Sequence, residues 1–186
     1  VNAAALHLPD RAAGRRMLLL LVAALALPFV LAAALIASGW HPDSSHHGEL
    51  LSPAPALSLD ALAIRQGPTK SALAGRWLLV ASEPGACDAG CAARLDALRR
   101  AHVALYKAMP RVKRVLLADA SPAIGQPDLT VAAPTSWPAL TGPRPALHLV
   151  DPQGRAVLRY DPAADDFSPR RMLRDIERLL RYSWSG

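Results

Sequence analysis

The sequence predicts an α/β fold: a central mixed sheet with flanking helices, preceded by one N-terminal transmembrane helix. Three observations carry that reading. Short apolar runs bounded by Gly and Pro alternate with a segment of helical period in the C-terminal two thirds of the chain. From Met17 to Ala37 there is no charged residue. Near the C-terminus, a Ser-Pro pair opens a segment whose apolar residues return at helical spacing.

The uncharged run comes first. At 1.5 Å per residue it matches a hydrocarbon core of about 30 Å. Secretory signal peptides have shorter apolar regions, of about 7–15 residues, although "ALIASG" offers small residues that a signal peptidase accepts. Pro28 is tolerated in a membrane helix. Arg11, Arg15 and Arg16 precede the run, and no Lys or Arg follows until Arg65. The positive-inside rule then leaves residues 1–16 as a cytoplasmic tail and exports everything after the 17–37 span. In a bacterium this is a single-pass inner-membrane protein whose C-terminal domain faces the oxidising periplasm. The net charge of +6 does not point to nucleic acid, because the basic residues are dispersed and no aromatic platform accompanies them.

Residues 38–56 are rich in Ser, Pro and His and read as a periplasmic linker. His41, His46 and His47 stand in it, either as a solvated polar tether or as metal-binding groups. The domain is expected over 57–186. "RWLLVAS" (76–82) reads as a buried strand, and "CAARLDALRRAHVALYKAM" as a helix with Leu95, Leu98, His102, Leu105 and Met109 inward, stopped by Pro110. "VKRVLLAD" (112–119) is a second strand, followed by a proline-rich irregular stretch. "ALHLVD" (146–151) and "RAVLRYD" (155–161) form a hairpin about "PQG". The last helix begins with Ser168 as N-cap and buries Met172, Leu173, Ile176, Leu179 and Leu180, its arginines forming the solvated face. This order of elements is that of thioredoxin-like folds.

The chain has two cysteines, Cys87 and Cys91, at the strand-to-helix junction. One helical turn apart, they share a face and come within reach of a disulfide. The same geometry aims two thiolates at a soft ion such as Cu(I). A structural zinc site would need a second pair, which is missing. Plain burial is the third reading. Placement at a helix N-terminus is expected to lower the thiol pKa of Cys87 and make it the more reactive of the two.

A strand followed by Cys-x-x-x-Cys opening a helix resembles the Sco-type copper chaperones of cytochrome c oxidase assembly. More closely, "GELLSPAPAL", "GRWLLVASEPGACDAGC" and "RVKRVLLAD" resemble a proteobacterial family of short transmembrane proteins, described as thioredoxin-like or Sco-like oxidase assembly proteins. The resemblance runs from Gly48 to Leu180. It implies partners in the copper-bearing oxidase subunit or other assembly factors, and Cu(I) held by Cys87 and Cys91. Sco-type proteins add a histidine shortly before the strand written here as "ALHLVD". That position, near Pro143, has none, and His148 inside the strand is the nearest substitute. "RPALHLVDPQGR" is similar to the stretch at the cis-proline of thioredoxins. It implies a cis Arg144–Pro145 bond, with Pro145 beside the cysteines as part of the catalytic groove.

Three functions follow from these readings. In the first, a dithiol reduces an apo copper site of the oxidase or briefly holds Cu(I). In the second, a copper-independent thiol–disulfide oxidoreductase serves, for example, cytochrome c maturation. In the third, the cysteines only staple an interaction module. Topology is directly testable: alkaline phosphatase fused after Gly48 is expected to be active, and a reporter that works only in the cytoplasm to be silent. The reverse pattern would remove the exported, oxidising setting.

Overall fold

A computed structural model describes residues 11–39, 46–120 and 125–183. The chain divides into two compact units, 1–44 and 45–186. In the first, α1 (Arg11–Ala37) is one continuous helix that passes through Pro28. Its stretch Gly14–Ala37 contains an 18-residue window with a mean hydropathy of 2.9, none of it buried, and is long and apolar enough to cross a membrane.

The second unit is built on a seven-stranded mixed sheet. In chain order its elements are β1 (Glu49–Leu50), β2 (Ile64–Gln66), α2 (Lys70–Leu73), β3 (Trp77–Ser82), α3 (Ala89–Ala104), β4 (Val112–Leu117), β5 (Leu129–Ala132), β6 (Ala146–Val150), β7 (Ala156–Tyr160) and α4 (Pro169–Tyr182). The strands lie in the order β1-β7-β6-β3-β4-β5-β2. β3 runs parallel to β4 and antiparallel to β6. All six of its residues are buried, as a run without polar alternation requires of a strand covered on both faces.

The pleat divides the core in two. Trp77, Leu79 and Ala81 point to one face with Leu147, Leu149, Leu158, α3 and α4. Leu78 and Val80 point to the other with Val115, Val150, Leu62, Leu73, Trp137 and Leu140. The expected hairpin turns at Gly154, whose φ of +82° and whose approach to the Leu57 carbonyl leave no room for a Cβ. Asp151 fixes that turn by accepting the N–H groups of Gln153 and Arg155.

Three expectations need correction. The stretch read as linker is domain from its middle on: β1 pairs with β7, Leu51 N–H donates to the Val157 carbonyl, and Ala56 bridges Arg155. The helix carrying Cys91 stops at Ala104, where the backbone tightens into a 3-10 helix, Tyr106–Arg111, that contains Pro110. The proline-rich stretch holds β5, whose four residues are all buried and so show no period, and two 3-10 turns, Pro134–Ser136 and Pro138–Leu140. Ser168 does occupy the N-cap of α4, but its side chain makes no capping hydrogen bond. At the other end of α4, the Arg111 guanidinium donates to the Leu180 and Ser183 carbonyls, which the helix leaves without partners.

Asp175 joins three segments. Its buried Oδ2 accepts from the Tyr160 hydroxyl at 3.0 Å and from the His47 and Gly48 N–H groups at 2.9 and 3.2 Å. Burial, and then the charge of Asp175, push the Tyr160 phenol well above its ordinary pKa and keep it a donor. Asp175→Ala strands these donors and is expected to destabilise the domain by about 1–3 kcal/mol in denaturant melts, with faster amide exchange at residues 47–51. An unchanged melt and exchange pattern would show that the lead segment is held by other contacts.

Candidate functional site

The site lies where β3 leaves the sheet. The Glu83 N–H still bonds the Leu117 carbonyl, and then Pro84 and Gly85, the latter at φ +98°, turn the chain outward. The loop is pinned a second time, because the Asp119 N–H donates to the Gly85 carbonyl and Ala86 bridges Ala120. Asp88 then caps α3, its Oδ1 accepting the Cys91 N–H at 2.8 Å. Cys87 and Cys91 flank this cap and are joined by a disulfide, with their Cα atoms 5.2 Å apart. Cys91 is fully buried in the core beneath α3, whereas Cys87 is half-buried at its rim.

A half-buried ion pair braces the loop from below. The side chain of Glu83 is 5% exposed, and both its oxygens are held by the Arg94 guanidinium at 2.9 and 2.5 Å. This fork ties the end of β3 to the second turn of α3 and closes the segment between them. A groove of about 430 Å³ opens beside Cys87, floored by Ala89, Ala92 and Leu95 and walled by Gln126 and Pro127. That wall is set by Arg114 of β4, itself 3% exposed, which donates to the Gln126 side chain at 2.6 Å and the Pro127 carbonyl at 2.8 Å. Sequence reading missed Glu83, Asp88, Arg94 and Arg114. Asp88 had a local signal, an Asp opening a helix. A buried arginine in an apolar strand had none.

The expected stabilisation of a Cys87 thiolate by the helix end is weaker than the sequence suggests. α3 begins at Ala89, one residue beyond its cap, and the Asp88 carboxylate already takes the inward N–H. A neighbouring negative charge opposes a thiolate. The greater reactivity expected of Cys87 therefore rests on its exposure.

The other predicted residues divide. Pro145 precedes β6, whose first residue Ala146 pairs with Ser82, so it stands at the cysteine end of the sheet. Its peptide bond is trans, however. Among the described residues the cis bond is Ser52–Pro53, and the chain at 144–146 enters β6 directly. His148 alternates with Leu147 and Leu149 and so shares the face of Val150, opposite the face where Cys91 packs. The pleat thus keeps it away from the two sulfurs. His46 and His47 adjoin β1, which β7 and β6 separate from β3. His41 lies outside the described residues. Among the described residues, no group of three or more His, Cys, Asp and Glu side chains could hold a metal.

His148 is buried, its Nδ1 has no hydrogen-bond partner, and it lines a cavity of about 500 Å³ with Leu140 and Arg159. Burial, and then the Arg159 charge, push its pKa down to about 4.

Fold and site together define a thioredoxin-fold protein with a Cys-x-x-x-Cys disulfide at the strand-to-helix junction. The chain belongs to the family described as "Transmembrane-like, thioredoxin-like, C-terminal domain", whose model matches residues 77–183. Among solved structures it is similar to Arabidopsis thaliana ScoI with copper bound, at 14% identity and a TM-score of 0.50, covering 70% of this chain and 99% of that one. Yeast Sco1 with copper bound is similar at 15% identity and a TM-score of 0.50, covering 70% and 89%. A thiol peroxidase from Chromobacterium violaceum aligns at 16% identity and a TM-score of 0.46, covering 72% and 85%. Such identities speak to fold alone. No curated protein matches.

The His148 imidazole makes a signed prediction. Its folded pKa lies below the unfolded value of about 6.5, so the unfolded chain binds the extra proton first. Stability is expected to be full above pH 6.5 and to fall by roughly 3 kcal/mol as pH drops toward 4. His102, also lowered by burial, acts in the same direction. Denaturant melts of the wild type and His148→Gln isolate the term: the variant should lose much of the acid-side slope. Equal slopes would place the acid sensitivity elsewhere.

Proposed function

We propose that this protein is a membrane-anchored thiol–disulfide exchange protein acting in cytochrome c oxidase assembly. One observation carries the chemistry: a half-exposed Cys87 is joined to a fully buried Cys91 at the mouth of a groove. In the dithiol form, the Cys87 thiolate attacks one sulfur of a client disulfide. A mixed disulfide forms and the client's second sulfur leaves as a thiolate. Cys91 then loses its proton and attacks Cys87, releasing the client's first sulfur. The client gains two electrons and two protons, and this protein ends as the disulfide. Buried Cys91 is shielded from solvent oxidants and reaches only its neighbour, which suits a resolving residue.

The oxidase setting and the periplasmic orientation rest on the sequence resemblance and on the arginine asymmetry about the span. In that setting the client is a reducible cysteine pair, such as an apo copper site on an oxidase subunit. Copper as cargo is the second reading. The cysteine pair and the fold shared with two Sco proteins described with copper bound favour it. The donor set fits it only in part, because the two sulfurs lack a third ligand among the described residues and His148 faces away. Thiol–disulfide exchange at Cys87 and Cys91 needs no copper.

The two cysteines should behave differently. With a disulfide-bonded model peptide, the reduced Cys91→Ser chain is expected to accumulate a mixed disulfide through Cys87, visible as an added peptide mass. Cys87→Ser should lower the exchange rate at least about a hundredfold. Equal trapping by both variants, or exchange by neither the variants nor the wild type, would overturn the assignment.

A further inference from the structure

The layer formed by α3 and α4 carries a surface that thiol exchange does not use. α4 divides sharply along its length. Met172, Asp175, Ile176 and Leu180 are buried, so the apolar side is already consumed by the core. The opposite side carries Arg170, Arg171, Arg174, Arg178 and Arg181, all exposed, against one exposed carboxylate, Glu177. At 100° per residue, Arg170, Arg174 and Arg181 fall on one stripe, which Glu177 shares, so it carries three cations and one carboxylate. Next to it, a groove of about 570 Å³ runs between the two helices. Its walls are Ala97, Ala101, Ala104 and Leu173, and Arg100 and Arg170 stand at its rim. Arg100 is ion-paired with Asp96, whereas the groove has no acidic lining residue.

We infer that this face binds the surface of a bilayer containing anionic phospholipid. Guanidinium groups take the headgroup phosphates, and the alanine-walled groove takes an alkyl segment. Charge complementarity selects an anion. The narrow apolar groove between arginines selects one that carries a hydrocarbon chain. The chain also bears its own candidate membrane span, which holds a bilayer at high effective concentration. A free acidic protein would have neither advantage.

The test uses the full chain in nanodiscs of phosphatidylcholine alone, or with about a third of the lipid replaced by phosphatidylglycerol. Arginines are footprinted with phenylglyoxal and mapped by mass spectrometry. Modification of Arg170, Arg174 and Arg181 is expected to be at least about threefold slower in the anionic discs, and the difference to vanish in high salt. Arg144, exposed in the loop before β6, serves as the internal reference and should react equally in both. A third arm adds polyglutamate to the phosphatidylcholine discs. Equal rates in both lipids would overturn the inference, as would protection by polyglutamate without protection by the anionic lipid. Disulfide exchange should be the same in both discs, so failure here is separable from failure of the redox reading.

Discussion

β3 is the strand on which the rest of the domain depends. It is hydrogen-bonded on both edges and covered on both faces, so its register fixes two cores at once. A slip of one residue would exchange Trp77, Leu79 and Ala81 with Leu78 and Val80, and neither core would fit. Because β3 cannot move, its exit after Ser82 is a fixed point. The loop beyond is then held by the parallel neighbour through Gly85 and Ala86, and by α3 through the Glu83–Arg94 pair.

That frame explains the difference between the two cysteines. Helical geometry places Cys91 on the inward side of α3, where it joins the core, while Cys87 precedes the cap and stays at the rim. The asymmetry is one of burial more than of electrostatics, since Asp88 occupies the cap between them. The same frame separates His148 from the site. It pairs with Val80 and shares the face of that residue, opposite the face where Cys91 packs. Strand parity decides this, and no side-chain rearrangement within the sheet reverses it.

What was legible in the sequence was whatever had enough length to show a period or a boundary. The 21 uncharged residues, the apolar run of β3, the β6–β7 hairpin and the stripe of α4 all qualify. β1, β2 and β5 have two, three and four residues, too few to separate strand from loop, and they lie among prolines. The cysteine pair was legible as a site. Its supports were not, because Arg114 and Glu83 act across the sheet and loop through contacts that no local pattern records. Pro145 shows the limit of resemblance: its position at the end of the sheet transferred, but the cis bond did not.

Cys87 stands at an accessible rim, braced but not sealed, and the proposed exchange requires that access. The most direct measurement is a redox titration of the full chain in detergent, with alkylation and mass spectrometry reporting the Cys87–Cys91 pair. Our account predicts one reversible two-electron transition, in the range of exchanging couples at about −120 to −270 mV. A pair that stays oxidised below about −300 mV would be a structural staple and would contradict it.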